Sequence, residues 1–234
     1  MSNGTNFKKT KQDHALAVLK AAVNAIPVAG GPVASLLSDY LPNEVENRKT
    51  KLLIQLDEDL KKLEGKFQEE TLKKEEFITT FFKSFKKAME THQKEVIDGY
   101  RAIILNSLID SEPNQDEIAM FIGITERLSP LHIKLLKILD NPEGLVSQNP
   151  EVKARFDSLS MGGLSTLFSA LLPGYSAEIV DAAFKDLYNL GLHNTPQLRV
   201  TMTKHGILQR RITELGDRYL RYITLPEEVK NTGE

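Results

Sequence analysis

Between Ala15 and Leu41 the chain runs ALAVLKAAVNAIPVAGGPVASLLSDYL, a stretch in which only Lys20 and Asp39 are charged. No other part of the sequence limits the fold so strongly, because so apolar a stretch must be covered by protein or by lipid. It is also broken, with Pro27, Gly30, Gly31 and Pro32 at its middle. A spanning helix needs about 20 apolar residues in one run. An interior Pro removes a hydrogen bond and clashes with the preceding turn, and a Gly pair loosens the backbone at the same place. The pattern predicts a hairpin of two short helices, His14 to Ile26 and Pro32 to Leu41, joined by PVAGG. Pro32 suits a first helical turn, where its missing N–H needs no partner. Small residues at Ala17, Ala21, Ala22, Ala25, Ala29 and Ala34 let two such helices approach closely.

Residues 1–14 are polar, show no apolar period and carry Lys8, Lys9 and Lys11, so they are expected to form a basic tail. Lysines before an apolar stretch imitate a signal peptide, but Lys20 and the Pro/Gly break interrupt the apolar region, and it is not read as one. Two fates are open to the hairpin. It can be core, wrapped by the helices that follow. It can also be membrane-active, with Lys8, Lys9 and Lys11 approaching anionic lipid and Ala22, Ile26, Val28, Gly30, Gly31, Val33, Leu36 and Leu37 entering it. The two are compatible, since a latent membrane element stays buried until it is released.

The composition then reverses. Residues 44–98 hold 12 Lys+Arg and 13 Asp+Glu without a proline. Val45, Leu52, Leu53, Leu56, Leu60, Leu63 and Phe67 recur at three, four and seven, the mark of one face of a long helix. After Gly65 a second helix is expected from Phe77, Ile78, Phe81, Phe82, Phe85, Ala88 and Met89, and a third over 94–109. The mixed-sign outer faces suit an antiparallel helical pair or bundle. DSEPNQ, 110–115, is turn chemistry, and Asp116 is expected to cap a helix reaching Leu128. Residues 15–128 thus read as a helical bundle.

Residues 129–225 read as a separate winged-helix-like domain, followed by a tail over 226–234. Ser129-Pro130 starts a helix that ends at Asn141-Pro142. A second helix is expected over 163–172, and a third from a Ser176 cap to Leu190, ended by Gly191. Leu198, Val200 and Met202 alternate, Lys204-His205-Gly206 supply turn residues, and Ile207, Leu208, Ile212 and Thr213 resume an extended pattern, so a β-hairpin is expected there. A short helix over 215–223 closes the domain. The fold class is mainly α.

The 234 residues include no Cys, which removes disulfides, zinc-thiolate sites and thiol nucleophiles. A formal charge of −2 excludes a globally basic coat for nucleic acid. No phosphate-binding loop, dinucleotide glycine pattern, GxSxG or HExxH occurs, and the five histidines stand far apart. His92 and Glu95, three apart, read as solvated helix surface, as do Asp57, Glu58, Asp59, Glu69 and Glu70 beside lysines. The expectation is a non-enzymatic protein without cofactor, metal or small-molecule substrate.

A winged helix raises DNA binding, with the third helix in the major groove and the wing on phosphate. Arg199, Lys204, His205, Arg210 and Arg211 would serve as that wing's contacts. The outer face of the third helix, with Glu178, Asp181, Lys185, Asp186 and Asn189, carries three acids against one lysine, which a polyanion repels. A protein-contact or purely structural winged helix is therefore the leading reading and a DNA-binding regulator the alternative.

The stretch YRAIILNSLIDSEPNQDEIAMFIGITERLSPLHIKLLKIL, 100–139, with its L-S-P-x-H turn between helices, resembles abortive-infection alpha-type bacterial proteins. So does FKDLYNLGL…ITELGDRYLRYI, between Phe184 and Ile223, which is also similar to the close of many winged helices. The resemblance covers about 120 residues. It implies a helical front half before a winged-helix-like end, and a role in phage defence, and it brings no catalytic residue. The expectation is a cytoplasmic bacterial effector or adaptor, peripheral at the inner face of the membrane when active, with a protein partner or a second copy as its binding partner.

Overall fold

A computed structural model describes residues 42–63, 65–110 and 112–227. The expected hairpin over 14–41 lies outside the described residues. The chain divides into two compact units, one ending at Glu126 and resumed from Ile223, the other Arg127–Tyr222. The described residues are mainly helical, with one small two-stranded sheet.

The first unit is built from α1 (Pro42–Lys62), a 3-10 turn (Glu69–Lys73), α2 (Glu75–Glu90), α3 (Lys94–Ile109) and α4 (Gln115–Arg127). Gly65, at φ +82°, turns the chain after α1, a conformation that only glycine adopts at little cost. The Phe stripe of α2 is core. Phe77, Phe81 and Phe85 are buried, with Phe81 and Phe85 stacked at 5.5 Å. They face α3, whose Val96, Tyr100, Ile103, Ile104 and Leu108 are buried in turn. Burial pushes the Tyr100 hydroxyl pKa well above its ordinary value.

Helix α1 lays Leu52, Leu56 and Leu60 into this core, and the following Leu63 is also buried. Asp59, expected on a solvated face, corrects that reading. It is only 1% exposed, and its carboxylate receives Arg101 through two bonds, Nη2 to Oδ1 at 2.8 Å and Nε to Oδ2. The reason is positional: Asp59 stands three after Leu56 and four before Leu63, on the buried stripe itself. Arg48 adds a bond to the Met89 carbonyl at 2.7 Å. The returning chain is held by Asn106, which donates to the Thr224 carbonyl at 3.0 Å.

The second unit runs α5 (Pro130–Asp140), α6 (Pro142–Gln148), α7 (Pro150–Asp157), β1 (Met161–Gly162), α8 (Leu164–Leu171), α9 (Ala177–Asn189), β2 (Met202–Thr203), α10 (Lys204–Ile207) and α11 (Glu214–Tyr222). Asn141-Pro142 ends one helix, as expected, and starts another. The Asn141 side chain accepts from Gly144 N–H at 3.0 Å, and Asn149 repeats the arrangement on Val152 N–H at 3.2 Å. The sequence signal is the repeated Asn-Pro-Glu at 141–143 and 149–151, a cap followed by Pro at the first helical position. The first unit holds a similar case, where Asn114 rather than Asp116 caps α4, accepting from Glu117 N–H at 3.0 Å.

The β-hairpin expected over 198–213 is corrected. Met202–Thr203 pairs antiparallel with Met161–Gly162, and Ile212 bridges His193. Lys204-His205-Gly206 is not a hairpin turn, because the Thr203 hydroxyl accepts from Gly206 N–H at 3.3 Å and starts α10. The same residues that favour a tight turn also follow a cap, and here the cap prevails.

Candidate functional site

The second unit presents α8, the turn 172–176 and α9 in succession. Leu164, Leu167 and Phe168 bury one side of α8, and Val180, Ala183, Phe184 and Leu187 bury one side of α9. Phe168 and Phe184 meet at 5.8 Å. Ser176 caps α9 by accepting from Ile179 N–H at 3.4 Å. Positions 180, 183, 184 and 187 already complete a core stripe, so the remaining apolar residues of this helix must face out.

They do. Ile179 is 57% exposed and Tyr188 41%, with Tyr175 exposed just before the cap. Spacings of three and four place Ile179, Ala182 and Asp186 along one edge, and these three and Tyr175, before the cap, are exposed. Lys134 of α5 lies beside that edge, 5.7 Å from the Tyr175 ring centre and 3.5 Å from its hydroxyl. Glu178, Asp181, Lys185 and Asn189, the expected outer face, are exposed as well. Tyr175, Ile179 and Tyr188 are the residues that sequence reasoning missed.

Two histidines support this arrangement. His193 is buried, its ring tilted against Phe184 with centres 4.2 Å apart. Its Nε2 lies 2.8 Å from the Phe184 carbonyl and its Nδ1 accepts from Thr195 N–H at 3.2 Å, a pair satisfied by the neutral ring with its proton on Nε2. Burial lowers its pKa. His132 accepts at Nδ1 from Ser129 N–H at 3.1 Å, with the Ser129 hydroxyl at 2.8 Å. Its Nε2 faces Asp186 at 3.6 Å, and burial lowers its pKa while Asp186 opposes the shift. Ser129, His132 and Asp186 thus stand in the order of a hydrolase relay. However, Nδ1 is already engaged by a backbone N–H and the carboxylate lies beyond hydrogen-bond length. The geometry is that of a helix start.

The five residues expected on a wing are dispersed by function. Arg199 and His205 are exposed. Lys204 pairs with Asp157 at 2.8 Å and holds that carboxyl below its usual pKa. Arg210 bridges Asp140, at 2.8 Å, and Asp217. Arg211 turns inward to the Gly206 carbonyl, the Thr195 hydroxyl and the Met202 sulfur, and burial lowers its pKa. Two of the three arginines therefore brace the 193–217 segment. The expected membrane residues, Lys8, Lys9, Lys11, Ala22, Ile26, Val28, Gly30, Gly31, Val33, Leu36 and Leu37, lie outside the described residues.

Among the described residues no helix is long and apolar enough to cross a membrane, and no group of three or more His, Asp or Glu is placed to hold a metal. No protein-family model matches the chain, and no curated protein or solved structure matches it either.

Proposed function

We propose that this chain is a non-enzymatic adaptor of the abortive-infection type, whose winged-helix-like second unit docks a protein partner through α9. The observation that carries the reading is the exposed edge of α9, where Ile179 and Ala182 stand beside Glu178 and Asp186, with Tyr175 exposed just before the cap. Exposed aromatic and aliphatic anchors with an acidic border favour protein over phosphate. The apolar stretch 15–41 gives the adaptor an output at a membrane, and the likeness of residues 100–139 and 184–223 to abortive-infection alpha-type proteins supports phage defence as the setting.

Expression in a phage-sensitive bacterium tests this. Plating efficiency of at least one phage is expected to fall, and Ile179→Asp is expected to restore it, as is Ala22→Asp with Val33→Asp. Protection that survives Ile179→Asp would remove α9 from the mechanism. A second reading, DNA binding, is favoured by the charge of residues 127–222, 12 Lys+Arg against 9 Asp+Glu for a net of +3. It requires duplex binding that weakens with Arg199→Glu, an exposed arginine of the segment.

A further inference from the structure

Among the described residues seven large apolar side chains are well exposed, and three of them, Tyr175, Ile179 and Tyr188, fall within the turn and helix of α9. The exposed polar residues of this helix are Glu178, Asp181, Asp186, Lys185 and Asn189, so acids outnumber the lysine three to one. Lys134 is drawn to the Tyr175 end of the edge. Asp186 has His132 as its neighbour, and that ring is biased toward neutrality by burial. A second copy of the same face would set acid against acid. A nucleic acid would set phosphate against acid.

We infer that the α9 face receives a basic amphipathic helix of a protein partner, its apolar stripe on Tyr175, Ile179 and Ala182 and its Lys or Arg residues against Glu178 and Asp186. This inference rests on the docking role proposed above. Helix α9 has 13 residues and is about 20 Å long, which matches a partner helix of three to four turns. The apolar edge supplies contact area and the acidic residues select the partner's charge, with opposite signs speeding encounter and like signs rejecting it.

The test uses the full chain, isotope-labelled, and two synthetic helices of about 18 residues, identical in a leucine stripe and differing in carrying Lys or Glu on the other positions. The Lys peptide is expected to shift the amides of residues 175–189, to lose about tenfold in affinity against Ile179→Asp, and to weaken against Glu178→Lys with Asp186→Lys. All three substituted positions are exposed, so the fold is retained, which an unchanged His193 ring signal checks. If the Glu peptide binds the same face equally well, docking stands and the basic partner is overturned. If the shifts gather elsewhere or neither peptide reaches α9, both fall.

Discussion

The two units bury their cores by different means. The first uses helices of 13 to 21 residues, apolar stripes several turns long, and one buried ion pair, Asp59–Arg101. The second uses shorter pieces, many of four to nine residues, begun by Asn141, Asn149, Ser176 and Thr203 caps. Their charges also differ, because residues 127–222 carry +3 and the remainder, with 18 Lys+Arg against 23 Asp+Glu, carries −5. Periodicity builds a long helix from its whole length, whereas a short helix depends on its ends. Damage should therefore be distributed differently in the two units.

The largest effect is expected in the first unit. Arg101→Met leaves Asp59 buried without its cation and should cost about 3–5 kcal/mol in urea unfolding. Replacing both partners by apolar residues should recover most of that loss. A single variant as stable as wild type would show that Asp59 is solvated and that the unit is held by its leucine and phenylalanine stripes alone. Next comes Gly216→Ala in the second unit, where a methyl group would overlap the Leu192 carbonyl oxygen. Neither backbone can yield cheaply, because Thr213 N–H also binds that oxygen at 3.1 Å. A loss near the top of about 1–3 kcal/mol is expected, confined to residues 127–222 by hydrogen exchange.

What the sequence disclosed follows the same division. Periodicity located α3 to the residue, Lys94–Ile109, because a stripe of about four turns averages over local ambiguity. It failed at Asp59, since a charge on an apolar stripe is read by type before position. In the second unit the hairpin over 198–213 was misread, since Thr203-Lys204-His205-Gly206 satisfies both a turn and a cap pattern. Only the tertiary pairing of Met202–Thr203 with Met161–Gly162 separates the two. The acids of the α9 face were visible at once, whereas Ile179 and Tyr188 were hidden among apolar neighbours. Counting the stripe 180, 183, 184, 187 as complete would have exposed them.

A pH dependence is expected in the second unit. His193 and His132 have pKa values lowered by burial, so the unfolded chain binds protons more readily than the folded one below the ordinary histidine value. Their contribution to stability is complete above about pH 6.5, and it is lost as the pH falls through the lowered folded values. The slope is at most about 1.4 kcal/mol per pH unit for each histidine. Urea midpoints between pH 7.5 and 5 should fall, and His193→Gln should flatten part of the decline. A slope unchanged by that substitution would assign the whole dependence elsewhere.

The smallest effects test the contrast at its root. Asn141→Ala and Asn149→Ala each remove a side-chain acceptor from a helix of seven or eight residues, and each should cost about 1 kcal/mol. In the first unit α2 and α3 begin at Lys74 and Gln93, neither of which makes a side-chain cap bond, although both have the extended backbone that a cap residue uses. Lys74→Ser and Gln93→Ser should therefore stabilise by a few tenths to about 1 kcal/mol. Opposite signs for the two pairs, read as shifts in urea midpoint, would show that the second unit already draws on its helix ends while α2 and α3 do not. Equal losses in both units would mean that Lys74 and Gln93 act at their helix starts by another route, such as the packing of their aliphatic stems.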